Sequence, residues 1–178
     1  MKLYGKQIKE SLCVIVVLFI IMAASLPAFA KSRRQVPINV QVTLFTRLLY
    51  FHNGISNGGN ITICVIGSSE FAREMKKKIG TKIGTSKLAE VRESNDIPTE
   101  KPSVIYLNDP GMLEKVIQYT RKNKVLSISG KERVLLGGIT LGIVDNNRKP
   151  KIMLNLSSSV EEGVDWNHAI LKVASSFK

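Results

Sequence analysis

GGITLGIVDNNRKPKIMLNL, residues 137–156, opens on a glycine pair, runs through alternating apolar positions, turns, and returns on a second alternating run. Ile139, Leu141 and Ile143 alternate with Thr140 and Gly142 on the way out, and Ile152, Leu154 and Leu156 alternate with Met153 and Asn155 on the way back. A period of two marks a strand with unlike faces, so the segment predicts an antiparallel hairpin turning at Asp145 to Arg148. Gly137-Gly138 precedes a strand and not a helix. It aims no helix dipole at a phosphate, and is read as tight entry to the edge of a sheet. Asn155, opposite the apolar face, is expected to bond the backbone of the adjoining loop.

Upstream of the hairpin, strands and helices alternate. Residues 36–51 place Val40, Leu44, Leu48 and Phe51 on one face at helical spacing and predict an amphipathic first helix. Ile61–Ile66 is a continuous apolar run, as in a strand buried on both faces. Gly67-Ser68-Ser69 then turns into a helix whose stripe is Phe71, Ala72, Met75 and Ile79 and which stops at Gly80. Lys-Ile-Gly-Thr at 78–81 recurs at 82–85, a repeat too short for a solenoid and read as a duplicated loop. Leu88–Val91 and Ser103–Leu107 are further strands, separated by a polar connection with two prolines. Asp109 and Pro110 start a helix with Met112, Leu113, Val116, Ile117 and Thr120 on its buried side, and Val125–Ser129 is a fourth strand. A closing helix over Ser158–Lys178 would cover the sheet with Trp166, Ile170, Leu171, Val173 and Ala174. The fold class is therefore α/β, a three-layer sandwich. Its sheet is mostly parallel, with an antiparallel hairpin at one edge and helices on both faces.

Residues 1–30 stand apart from this fold. Lys2, Lys6 and Lys9 precede the apolar run LCVIVVLFIIMAA, and Ala28-Phe29-Ala30 offers the small-x-small pattern that signal peptidase accepts. The run is shorter than the roughly 20 residues that span a bilayer. The expectation is export to the periplasm, cleavage after Ala30, and one domain over residues 31–178. Cys13 leaves with the signal, so Cys64 has no disulfide partner within the chain, and its place in an apolar run makes it a core residue.

The full chain carries a net charge of +12, of which +10 remains once three lysines and Glu10 are removed. Such a balance suits an acidic protein face or an anionic membrane surface. Export and the lack of aromatic residues within the clusters argue against nucleic acid. Lys76, Lys77 and Lys78 end one helix and Arg121, Lys122 and Lys124 end another, so a basic patch is expected at the end of the sheet opposite the strands' carboxyl ends.

The chain has two histidines, His52 and His168, and neither has metal-ligand spacing; no metal site is expected. Ser129, His168 and Asp165 are the residue types of a triad, but Ser129 lacks the Gly-x-Ser-x-Gly elbow that exposes such a nucleophile, and no catalytic residue is assigned. Gly67-Ser68-Ser69 lacks the spacing of a phosphate loop and reads as a capped turn.

VLSISGKERVLLGGITLGIVDNNRKPKIMLNLSSSVEEGVDWNHAILKVAS resembles the carboxyl half of the YfiR-like family of small periplasmic proteins, and QVTLFTRLLYF followed by ITICVIGSSEF is similar to its amino half. The resemblance spans residues 41–176. It implies an α/β sandwich, frequently a homodimer, without cofactor or catalysis. Its best-understood members restrain a membrane-bound diguanylate cyclase, in cyclic-di-GMP signalling, through contact with that enzyme's periplasmic sensor region. Two departures stand out. Phe51-His52-Asn53-Gly54 replaces the family's Glu-Trp-Pro signal, and Ser103 stands where some members carry the cysteine that bridges to the position of Cys64. Two functions follow as expectations. The first is a regulatory module contacting its partner through Phe45, Leu49 and Phe51; the second is a small-solute receptor with its ligand near Gly67, Ser68, Asn108, Asp109 and Ser129, at the carboxyl ends of the parallel strands.

Overall fold

A computed structural model describes residues 35–178; the expected signal segment and its cleavage point lie outside the described residues. In chain order the elements are α1 (Ile38–Leu48), a 3-10 turn (Leu49–Phe51), α2 (Asn53–Ser56), β1 (Gly59–Ile66), α3 (Ser69–Lys76), β2 (Lys82–Ile83), β3 (Ser86–Ser94) and β4 (Val104–Leu107). A 3-10 turn (Pro110–Met112), α4 (Leu113–Asn123), β5 (Leu126–Ser129), α5 (Glu132–Leu136), β6 (Leu141–Asn146), β7 (Lys149–Asn155), α6 (Leu156–Glu161), a 3-10 turn (His168–Lys172) and β8 (Ser175–Phe177) follow.

The apolar runs become the parallel centre of one eight-stranded sheet, ordered β2-β3-β1-β4-β5-β6-β7-β8. Only β2 with β3 and β6 with β7 pair antiparallel. Successive side chains on a strand point to opposite faces, and both faces are covered. Ile61, Ile63, Val65, Val104 and Tyr106 pack with Phe45 of α1 and with Phe71 and Met75 of α3; Cys64, Ile66, Ile105 and Leu107 pack with Val116 of α4 and with Val134 and Leu135 of α5. Cys64 is 1% exposed. Burying an aromatic ring is worth about 2–3 kcal/mol, and on the first face Phe71 and Tyr106 stack with centroids 3.5 Å apart.

The hairpin forms in the expected register, Leu141 opposite Leu154 and Ile143 opposite Ile152. Its turn is Asn147-Arg148, both left-handed at φ 52° and 66°. It does not end the sheet, however, because β8 pairs with β7 outside it. Nor does the glycine pair admit a chain to an edge. It ends α5, a helix the sequence reading did not include, where that helix passes against α4. A Cβ at Gly137 would stand 2.5 Å from Leu113 Cδ2, and one at Gly138 2.9 Å from Ile117 Cδ1. Asn155 bonds the adjoining backbone as expected, its Oδ1 accepting from Ser158 N at 3.0 Å to cap α6.

Three further expectations are corrected. The closing helix stops at Glu161, because Gly163 is left-handed (φ 66°) and Glu162 turns inward; the chain finishes as a 3-10 turn and β8, with Leu171 and Val173 exposed. The buried line of α1 is Gln41, Val42, Phe45 and Leu48, while Val40 and Leu44 only flank it. Gln41 is admitted to the core because its Nε2 donates to Val36 O at 2.6 Å and its Oε1 accepts from the Tyr106 hydroxyl at 3.1 Å. Finally, α3 ends at Lys76, before Ile79, which is 47% exposed; the repeated segment beyond it supplies β2.

Candidate functional site

Two concave surfaces flank α1. The first lies where the sheet's connections diverge: α3 carries the chain from β1 toward β3, and α4 carries it from β4 toward β5 on the other side. Such a switch point leaves a crevice beyond the strands' carboxyl ends. Here it is a cleft of about 530 Å³ lined by residues 35–39, Ser68, Glu70, Glu74 and Asn108. Ser68 caps α3, its Oγ accepting from Phe71 N at 3.2 Å. Asn108 binds the neighbouring turn, its Nδ2 donating to Gly67 O at 2.9 Å. Gly67 is left-handed (φ 78°), and a Cβ on it would lie 2.7 Å from that of Asp109, so this turn requires glycine.

Of the five expected crevice residues, Ser68 and Asn108 line the cleft, while Gly67 and Asp109 shape the turns behind it. Asp109 Oδ1 accepts from Gly111 N at 2.8 Å. Ser129 does not belong to the cleft. It is fully buried, and its hydroxyl donates to Leu107 O at 2.7 Å and accepts from Lys131 N at 3.1 Å. The same bonds remove it from any triad with the exposed His168 and Asp165.

The second surface is an apolar groove of about 520 Å³ beside the last turn of α1. Leu44, Arg47, Leu48, Tyr50 and Phe51 form one wall, Thr81 to Ile83 another, and Ile152 and Val173 complete it. Tyr50 is 59% and Val173 48% exposed. Phe45 and Leu49, expected to touch a partner, are fully buried on the opposite side of this helical segment and serve the core; of the three expected contacts only Phe51 reaches the surface. Spacing alone did not separate Leu49 from Tyr50, because which of the two is covered depends on the distant C-terminal strap. Asn167 N donates to Phe51 O at 2.8 Å, Asn53 N donates to Asp165 O at 2.9 Å, and the His52 ring packs on Trp166 at 5.5 Å. The His52 Nδ1 is buried without a hydrogen-bond partner among the described residues, and burial lowers the imidazole pKa.

The basic clusters end α3 and α4, helices that cover opposite faces of the sheet. Several of the cations are engaged: Lys77 Nζ pairs with Glu74 at 2.7 Å, Arg121 with Glu161 at 2.7 Å, and Lys124 Nζ donates to Glu161 O at 2.8 Å.

Sequence reading also missed a buried carboxyl. Glu162, 1% exposed, accepts from Ser127 N at 2.9 Å and from the hydroxyls of Ser127 and Thr140 at 2.6 Å each. Burial raises its pKa, partly offset by these donors. The one signal was an acidic residue directly before a glycine at the end of a helical pattern.

The family model described as YfiR/HmsC-like (DUF4154) matches residues 40–175. No curated protein matches the chain. Among solved structures, a conserved domain protein from Vibrio cholerae O1 biovar El Tor is similar at 15% identity and a TM-score of 0.58, covering 80% of this chain and 60% of that one. An ABC domain from Streptococcus pneumonia in complex with L-Trp is similar at 15% identity and a TM-score of 0.53, covering 79% and 60%. The chain thus spans about 60% of the length of these structures, and at such identity the likeness is one of fold.

Proposed function

The chain belongs to the YfiR/HmsC-like family of periplasmic regulatory modules, and from that membership we propose that it acts by protein contact, binding the periplasmic part of a membrane-bound signalling protein such as a diguanylate cyclase. The observation that supports this reading is the groove, which leaves Tyr50 and Val173 in solvent beside Phe51 on an otherwise well-filled core. Exposed apolar clusters of this kind mark docking surfaces, and aromatic anchors commonly carry their affinity. In this reading residues 1–30 are lost on export, no cofactor takes part, and no reaction is catalysed. Among the described residues no helix is long and apolar enough to cross a membrane. Lys76 and Lys78 would add long-range attraction to an acidic partner or an anionic lipid surface.

Affinity capture from solubilised membranes tests the proposal. Wild-type protein should retain a membrane signalling protein, and Tyr50→Asp should weaken that retention at least about tenfold without lowering the melting temperature. Capture unchanged by Tyr50→Asp would move the contact elsewhere.

The cleft supports a second reading, a receptor for a small polar solute held between Ser68, Asn108 and the residues at the start of α1. A thermal-shift screen of metabolites separates the two: stabilisation by a solute, abolished by Asn108→Ala, favours the receptor.

A further inference from the structure

The groove's chemistry restricts its occupant further. Its lining is apolar or neutral except for Arg47 and Lys82, both exposed, and neither pairs with a carboxylate among the described residues. Lys82 also stands directly opposite Lys87 in the β2–β3 pairing. Like charges across an antiparallel pair destabilise it, and an anion brought to that edge relieves the repulsion. A lysine on an edge strand discourages stray strand pairing, which accounts for Lys82 alone; it leaves Arg47 on the facing helix unexplained.

We propose that the groove seats an acidic amphipathic segment of a protein partner, its apolar side chains against Leu44, Phe51, Ile152 and Val173 and its carboxylates toward Arg47 and Lys82. The inference rests on the protein-contact reading and names the chemistry of the contact. A second copy of this chain is a poor occupant. A two-fold contact presents the same patch from both sides, which would set Arg47 and Lys82 against their own kind in a chain of net charge +12.

Two fluorescein-labelled synthetic peptides test it, each with leucines on one helical face, one with glutamates and the other with lysines on the opposite face. Binding to the purified protein is read by anisotropy at several salt concentrations. The glutamate peptide should bind at least about tenfold more tightly, with the preference shrinking as salt shortens the Debye length. Arg47→Glu/Lys82→Glu should reverse the preference. Lys122→Glu/Arg133→Glu, an equal change of charge on the other face of the sheet, should retain it; this control separates a local site from the attraction of a basic protein. Tyr50→Asp should weaken the glutamate peptide. All five altered positions are solvent-exposed, and matched melting curves verify the fold.

Equal affinity for the two peptides, or a preference that survives Arg47→Glu/Lys82→Glu, overturns the inference. So does a homodimer in sedimentation that dissolves on Tyr50→Asp, or adsorption to phosphatidylglycerol vesicles with no peptide binding. If Arg47→Glu/Lys82→Glu captures the membrane partner as wild type does, the inference fails and the regulatory function stands. If wild type captures nothing while the peptide preference and its reversal hold, the groove chemistry is supported and the regulatory function fails.

Discussion

The Ser127 hydroxyl donates to the Glu162 carboxyl at 2.6 Å, and both residues are buried, so a carboxyl from the end of α6 is locked to the second residue of β5. Thr140 donates to the same group, which makes Glu162 the joint between α6, β5 and the entry to β6. Burial raises its pKa, so the fold favours the protonated form. The stabilising contribution is then complete below the ordinary carboxylate range and is lost as pH rises through the raised value. Urea unfolding of wild type should show this decline, and Glu162→Gln should flatten it. Glu162→Ala should cost about 1–3 kcal/mol, because Ser127 N is left buried without an acceptor.

His52 titrates with the opposite sign. Its imidazole pKa is lowered by burial, so the fold favours the neutral ring. The contribution is present above the ordinary imidazole value and is lost as pH falls through the lowered one. The ring lies 5.5 Å from the chain's single tryptophan, Trp166, which gives a direct readout. Trp166 emission should change on acidification at a midpoint below that of a free imidazole. His52→Gln should abolish the transition, and a wild-type midpoint at or above the free value would contradict the burial.

The turn between β6 and β7 places Asn147 and then Arg148 in left-handed conformations, the arrangement that Asn-Gly adopts at least cost. Arg148 is exposed. Arg148→Gly should therefore stabilise the domain by about 0.5–1 kcal/mol, seen as a higher urea midpoint with an unchanged slope. A loss of stability would mean that the Arg148 side chain makes a contact worth more than the strain.

The sheet was legible because its signals are local. Ile61–Ile66 and Val104–Leu107 are short apolar runs bounded by turn residues, and Ser68 and Asp109 announce the elements that follow them. Where the reading failed, the deciding partner lay far along the chain. Trp166, Ile170 and Ala174 have helical spacing, yet left-handed Gly163 and the pull of Ser127 and Thr140 on Glu162 end α6 before them. Gln41 looks like a surface residue until Val36 and Tyr106 are brought to it. Two of the three expected partner contacts, Phe45 and Leu49, proved to be core residues for the same reason. Leu49 and Tyr50 are neighbours of similar hydrophobic character, and tertiary packing covers one while leaving the other in water.

The helix α1 touches both concave surfaces: its first turn, at Ile38 and Asn39, borders the cleft, and its last, at Leu44 to Leu48, borders the groove. Eleven residues at about 1.5 Å each make a rod about 16 Å long, and a hydrogen-bonded helix does not shorten under load. Anything that lifts the near end must tilt or slide the far end. A small molecule lodged at one end and a protein seated at the other would then share a single moving part, and linkage requires each to alter the other's affinity by the same factor. A receptor for a solute and a regulator of a neighbour would in that case be two ends of one lever.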